Sequence, residues 1–192
     1  AAAELTDARR EAAGRLDRAV TAELVPLKME RAVFRTVVAA AEPGPDGRDA
    51  VSFTVATNPG APSGPLDKIA SGGELSRFLL ALKVCLARGN DALVMIFDEI
   101  DRGVGGATAD AVGRRLQNLA QGAQVLVITH SPQVAALGAE HFRVSKSVTD
   151  GMTTSVVVPL TQPERVAEIA RMLSGDRVTD AATDAARALL AG

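Results

Sequence analysis

Two adjacent carboxylates, Asp98 and Glu99, directly follow a continuous apolar run at residues 92–97. Such a run is typical of a strand buried on both faces in a parallel sheet. Carboxylates at the end of a buried strand are costly unless they hold a cation or handle a proton. The pattern therefore predicts that Asp98 holds Mg²⁺ through water and that Glu99 polarises an attacking water. A helix cap or a solvated acidic pair is the structural alternative.

His130 follows a second apolar run at residues 125–128, and a helical pattern at residues 108–120 lies between the two runs. Strand, helix and strand over this length predict a right-handed βαβ unit with parallel strands. The carboxyl ends of such strands share one sheet edge, which is where ligands bind in open α/β sheets. His130 is therefore expected beside Asp98 and Glu99, contacting a γ-phosphate. A purely structural histidine is the alternative.

A pair of glycines, Gly72 and Gly73, stands between Ser71 and Glu74 at the start of an amphipathic pattern with apolar residues at positions 75, 78, 79, 82 and 86. The pattern predicts a helix with one apolar face, opened by a capping box of Ser71 and Glu74. Each glycine weakens a helix by about 1 kcal/mol relative to alanine, so we expect another group to approach this backbone closely. Bare amides at a helix N-terminus bind phosphate. A glycine-softened helix start is the alternative.

The remaining elements are predicted from periodicity and turn residues. Residues 4–24 read as a helix that Pro26 ends or bends. Leu5, Ala12 and Ala19 are seven residues apart, and Leu16, Val20, Leu24 and Leu27 extend an apolar edge, which fits a coiled-coil arm or a plain surface helix equally well. The other predictions are hairpins at 34–40 with 51–56 and at 142–145 with 154–158, and helices at 132–137, 161–175 and 181–190; within 161–175, Val166, Ile169, Ala170 and Leu173 are predicted to face inward.

Composition bounds the class of protein. The chain has 192 residues, 47% of them hydrophobic, which is enough for one core. Its net charge of −2 lacks the overall positive charge expected of a dedicated nucleic-acid-binding domain. Cys85 is the single cysteine and is predicted to be a small core residue, so no disulfide forms within the chain. No apolar run reaches the ~18 residues of a membrane span, and no signal-peptide pattern occurs. We therefore expect a cytoplasmic protein with no membrane partner.

Three motifs resemble those of a known family. Residues 71–74 resemble the signature motif of ABC-type ATPases, residues 94–99 resemble their Walker B strand with its catalytic glutamate, and His130 resembles their switch histidine. The fuller spelling of residues 69–77, 97–105 and 129–136 resembles the RecN family, the SMC-like bacterial ATPases of DNA double-strand-break repair. The resemblance extends over residues 24–190.

The resemblance implies an α/β fold: the C-terminal lobe of an ABC/SMC-type ATPase head, P-loop NTPase-like, with a largely parallel sheet flanked by helices. Residues 1–26 would be the end of a coiled-coil arm and residues 27–192 the lobe. It implies ATP and Mg²⁺ as cofactors and a nucleoid-associated cytoplasmic location. The implied partners are an N-terminal Walker A lobe of the same protein, a second head in an ATP-dependent homodimer, and DNA, with double-stranded ends.

The resemblance also implies roles for individual residues. Ser71, Gly72, Gly73 and Glu74 would bind, in trans, the nucleotide of the opposite head. Asp98, Glu99 and His130 would act on the nucleotide of their own head, with Glu99 and His130 as the catalytic pair. Arg77, one turn inside the helix, would either sense the nucleotide or face solvent.

The sequence departs from the family pattern at two points. It contains no Gly-x-x-x-x-Gly-Lys-Ser/Thr, so the Walker A lysine and hydroxyl would have to come from elsewhere. The D-loop aspartate would fall at Gly105, which leaves Asp101 as the candidate substitute. Two other functions remain open: a non-catalytic dimerisation or interaction module, which the missing Walker A favours, and another SMC or ABC relative.

Overall fold

The computed structural model describes residues 1–68, 72–87, 94–149, 152–175 and 177–192. The helices are α1 Ala2–Leu24, α2 Gly72–Ala87, α3 Gly106–Leu119, α4 Pro132–Ala136, α5 Gln162–Ser174 and α6 Asp180–Ala191, with a 3₁₀ turn at Leu66–Lys68. The strands are β1 Val33–Gly44, β2 Gly47–Ala56, β3 Gly64–Pro65, β4 Val94–Asp98, β5 Gln124–Ile128, β6 Phe142–Thr149 and β7 Met152–Pro159.

The strands of the described residues form three small sheets. β4 and β5 pair in parallel, joined by the crossover helix α3, which confirms the predicted βαβ unit. The β1–β2–β3 and β6–β7 sheets are antiparallel. Within the described part of the chain, parallel pairing is seen between β4 and β5. Both predicted hairpins are present and extend further than their sequence patterns.

The main core lies beneath α1 and α2. Leu24, Leu27, Phe34, Phe78 and Phe97 are all buried in it, so α1 is part of the lobe along its second half. The buried positions of α1 include 6, 13, 20 and 24, which confirms the predicted apolar edge at Val20 and Leu24. The predicted heptad at 5, 12 and 19 lies one residue away from the buried positions 6, 13 and 20. One residue is 100° of helix rotation. α1 packs on β1 and α2, and this packing decides which side of the helix is buried.

The predicted apolar face of α2 is only partly correct. Phe78 and Leu82 are buried, but Leu79 and Leu86 are exposed. Leu80 and Ala81 are fully buried instead, because α2 is covered on more than one side and its buried surface is wider than a single stripe. Cys85 is partly buried against the same core.

One face of the β4–β5 sheet is bare, which contradicts the prediction of strands buried on both faces. Val94, Ile96, Leu126 and Ile128 are between 46% and 61% exposed. Met95, Phe97, Val125 and Val127 face the core on the other side. Among the described residues, the strand pair is thus covered by the core on one face and open to solvent on the other.

The C-terminal helices form a second, smaller cluster with α4, which includes Ala136, Ile169, Ala170 and Ala186. α5 begins with a capping box: the Thr161 amide donates to Glu164 Oε2 at 2.8 Å, and both halves of the box are present. Leu173 is exposed rather than inward, as Arg165 and Glu168 take buried places on that helix. The turn at residues 150–151 lies outside the described residues. Within the described residues, no helix is both long and apolar enough to cross a membrane.

Candidate functional site

The ends of β4 and β5 bring Glu99 and His130 together. The Glu99 amide donates to the Ile128 carbonyl at 3.0 Å, which ties the residue after β4 to the last residue of β5. Glu99 Oε1 lies 3.8 Å from His130 Nε2, and the carboxylate is half exposed while the imidazole is open to solvent. Two side chains 31 positions apart in the chain thus meet at the carboxyl edge of the parallel pair, where a general base and a phosphate contact would be placed.

Glu99 has a strained backbone. Its φ of +48° lies in the left-handed region, which a residue with a side chain occupies at a cost of roughly 1–3 kcal/mol. The Arg102 amide donates to the Glu99 carbonyl at 2.9 Å and closes a turn around it, and Arg102 Nη1 lies 3.6 Å from Glu99 Oε2. Strain of this kind clusters at functional sites, and here it aims the carboxylate toward His130.

An open cleft of about 420 Å³ adjoins this pair. That volume is within the range of small-molecule sites, which is about 300–1,000 Å³. The lining residues come from the two loops that follow β4 and β5: Glu99, Asp101, Arg102, Gly103, Val104, His130 and Ser131. The cleft is polar and contains both signs of charge, as a site for a charged ligand requires.

Asp101 braces the loop that carries His130. It is buried, and the Thr129 hydroxyl donates to its carboxylate. The Thr129 oxygen in turn accepts a hydrogen bond from the Ser131 amide at 2.9 Å, and Ser131 is the N-cap of α4. Asp101 therefore holds Thr129 directly and Ser131 through Thr129, on the two sides of His130. Sequence reasoning missed Thr129 and Ser131 as positioning residues, although Ser-Pro at the start of a helix is a recognisable cap signal.

The two glycines of α2 have different surroundings. A Cβ on Gly73 would lie 3.0 Å from the Gly103 carbonyl oxygen and 3.0 Å from Val104 Cγ1, so the group that approaches this backbone is the cleft loop of the same chain. A Cβ on Gly72 would meet nothing within 4 Å. Gly72 is exposed and its backbone is open to a ligand. Ser71 lies outside the described residues, so its capping box with Glu74 stays a prediction.

Arg77 is partly buried and does not simply face solvent. Its Nε donates to the Gly73 carbonyl at 3.1 Å, and its Nη1 donates to the Leu27 carbonyl at 3.1 Å and to the Lys28 carbonyl at 3.3 Å. Burial lowers the pKa of Arg77, and the nearby charge of Glu74 partly opposes this shift. Arg77 thus links the first turn of α2 to the segment after α1.

Asp98 offers one carboxylate for a metal ion. It is the last residue of β4 and is exposed. Among the described residues, no group of three or more His, Cys, Asp or Glu side chains is placed to hold a metal. Mg²⁺ is commonly bound by one or two carboxylates, with water and substrate phosphates completing its shell. Asp98 fits that mode and does not fit a closed protein site.

Comparison with known proteins identifies close relatives. The chain is 42% identical over 192 residues to the DNA repair protein RecN of Vibrio cholerae, covering 99% of this chain and 35% of that protein. It is 44% identical over 190 residues to RecN of Rickettsia felis, with 98% and 35% covered. Against RecN of Xylella fastidiosa it is 51% identical over 148 residues. The chain is homologous to RecN.

The predicted resemblance to RecN is thereby confirmed over nearly the whole chain, which spans 35% of the length of two of these relatives. No protein-family model matches it. The segments of the RecN resemblance meet around one place: residues 97–105 and 129–136 supply the cleft residues, and Gly73 contacts that loop.

Solved structures share the fold. A chain from a study of ATP-driven dimerization and DNA-stimulated activation of SMC ATPases matches with a TM-score of 0.63 at 17% identity, covering 90% of this chain and 99% of that one. The Smc head of Pyrococcus yayanosii, with a coiled coil and joint, matches with a TM-score of 0.65 at 20% identity, covering 83% and 29%. The fold class, an α/β lobe of an SMC-type head, is confirmed.

Proposed function

We propose that this chain is the C-terminal part of a RecN-type ATPase head, with residues 1–26 as the base of a coiled-coil arm and residues 27–192 as the lobe. The observation that carries the proposal is the meeting of Glu99 and His130, 3.8 Å apart, beside the cleft at the end of β4 and β5. Homology to proteins named for DNA repair supports the same biological role for the complete protein.

Within that head, each residue at the strand edge has a distinct task. Glu99 accepts a proton from the attacking water as general base. His130 contacts the γ-phosphate and orients that water, and the Asp101–Thr129 hydrogen bond fixes the loop that carries it. Asp98 would hold Mg²⁺, and the metal would supply positive charge against the phosphates.

The sequence contains no Walker A motif, so ATP hydrolysis requires the N-terminal lobe of the same protein to cradle the phosphates. Ser71, Gly72 and Gly73 at the start of α2 would bind the ATP of a second head, since amides at a helix N-terminus favour anions. Two heads would then enclose two ATP molecules, and hydrolysis would release them. In repair, this cycle would control the binding or tethering of double-stranded DNA ends.

The test is steady-state ATP hydrolysis by the complete protein containing both lobes, with and without linear DNA. Glu99→Gln removes the base without changing its size, and we expect turnover to fall by about 100-fold or more, because general-base catalysis contributes roughly 10²- to 10⁴-fold. Glu42→Gln is the matched control because Glu42 is an exposed residue of β1, and it should leave turnover unchanged.

Unchanged turnover in Glu99→Gln would contradict the catalytic assignment. The other candidate function is a non-catalytic interaction module, which the lack of a Walker A motif in this chain favours. In that case the complete protein would bind ATP and associate, and neither wild type nor variant would hydrolyse it.

A further inference from the structure

Arg77 lies between two parts of the lobe that the proposed chemistry does not connect. Its guanidinium reaches back along α2 to the Gly73 carbonyl and across to the carbonyls of Leu27 and Lys28, just after α1. These acceptors are all backbone oxygens, so the side chain of Arg77 ties the backbone at the start of α2 to the backbone just after α1. An arginine is suited to this because its rigid fork holds several donors in fixed directions.

The turn after α1 is held in part by Arg77. The amides of Leu27 and Met29 donate to the Leu24 carbonyl at the end of α1, and Arg77 binds the next carbonyls along the chain, those of Leu27 and Lys28. Lys28 has a φ of +60°, in the left-handed region that is strained for a residue with a side chain. Such a conformation persists where neighbouring contacts hold it, and the hydrogen bond from Arg77 to the Lys28 carbonyl is one of these contacts.

The other side of the same turn of α2 touches the cleft. Gly73 packs against Gly103 and Val104 so closely that a Cβ would lie 3.0 Å from atoms of both. Gly103 and Val104 line the cleft together with Glu99. The first turn of α2 is therefore held between the base of α1, through Arg77, and the cleft loop, through Gly73.

We propose that Arg77 is a positioning residue that couples the base of the α1 arm to the start of α2 and to the cleft loop at residues 101–104. A change in the direction of α1, transmitted through the turn at residues 25–28, then moves both the anion-binding end of α2 and the rim of the cleft. This inference rests on the proposed function for its catalytic consequence, while the mechanical coupling itself stands on the hydrogen bonds and the Gly73 contact.

The test uses the complete protein and two readouts, ATP turnover and amide hydrogen exchange by mass spectrometry. The variants are Arg77→Gln and Arg77→Lys, and the control is Arg114→Gln, whose partner Asp110 is on its own exposed helix face. We expect Arg77→Gln to speed exchange at residues 25–29, 72–76 and 101–104 together, with exchange in α5 and α6 unchanged. The kcat should fall by about 10- to 100-fold, as a small misplacement of catalytic groups can cause, with little change in KM.

Arg77→Lys keeps the charge but cannot span both sets of carbonyls, so it should retain the fold and restore less than half of the lost kcat. If exchange rises at residues 25–29 and stays unchanged at residues 101–104 in both variants, Arg77 only holds the turn after α1 and the coupling is wrong. A complete protein without Glu99-dependent turnover would refute the proposed function, whereas the exchange pattern would still decide the role of Arg77.

Discussion

Gly72 and Gly73 are adjacent and of one type, yet the structure gives them opposite constraints. Open space surrounds the missing Cβ of Gly72, while the cleft loop fills that of Gly73. The sequence predicted that a ligand approaches the backbone at both glycines. The close approach at Gly73 is made by the chain itself, whereas the space around Gly72 stays open to a ligand. No local pattern could separate them, since residues 103–104 reach Gly73 only through the tertiary fold.

This difference predicts opposite effects of alanine on stability. Gly72→Ala should raise the free energy of unfolding by up to about 1 kcal/mol through helix propensity. Gly73→Ala should lower it by about 1 kcal/mol, because the new Cβ would press on a backbone oxygen that cannot simply rotate away. Urea unfolding of the two variants gives both values. Equal effects would contradict the contact between Gly73 and the loop.

Gly72→Ala also separates stability from activity. If phosphate approaches the Gly72 backbone, the added methyl should lower ATP turnover of the complete protein even as it stabilises the helix. The single substitution then moves the two measurements in opposite directions. Higher stability with unchanged turnover would leave Gly72 as an ordinary helix start.

For helices and strands, the sequence predicted where each element lies in the chain better than it predicted which side of the element faces the core. Every long helix and both hairpins occur near their expected positions, because period and turn residues are local properties. On α1, the apolar edge through Val20 and Leu24 was predicted correctly. The heptad at Leu5, Ala12 and Ala19 lies one residue away from the buried positions, because packing on β1 and α2 decides which side of the helix is covered. Exposed Leu79 and Leu86 show the same limit on α2.

The pairing of α1 with α3 was also invisible to the sequence. Arg115 on α3 donates to both carboxylate oxygens of Glu23 on α1, with Nη2 to Oε1 at 2.9 Å. Its side chain is 17% exposed and that of Glu23 is 8% exposed. The neighbouring residue Arg114 binds Asp110 at 2.9 Å on its own helix, with side-chain exposures of 55% and 39%. Two adjacent arginines thus form one shielded and one solvated ion pair.

Replacing each arginine with methionine should therefore give different losses. Arg115→Met leaves a shielded carboxylate without its main partner, and we expect a loss of about 2–3 kcal/mol, somewhat below that of a fully buried pair. Arg114→Met should change stability by less than about 0.5 kcal/mol. Thermal unfolding compares the two variants. A large loss in Arg114→Met as well would point to a general need for positive charge on α3 instead of the contact with Glu23.

At the scale of the whole molecule, one face of the β4–β5 pair is apolar and exposed to solvent. Sheets with parallel strands are covered on both faces, and the exposed side is apolar at Val94, Ile96, Leu126 and Ile128. The chain spans 35% of the length of its RecN relatives. We expect the cover to come from the remaining part of the complete protein, which is consistent with the proposed N-terminal lobe.

Ile96→Asp distinguishes a covered face from a naturally bare one. Ile96 is 61% exposed in this chain, and a surface substitution usually changes stability by less than about 0.5 kcal/mol. In the complete protein we expect a loss of about 2 kcal/mol or more, because the carboxylate would be buried against the second lobe without a partner. Val51→Asp, on β2 at 50% exposure, is the control and should have little effect. Equal unfolding midpoints for the two variants would mean that β4 and β5 keep this face open to water in the complete head, and that the two lobes meet elsewhere.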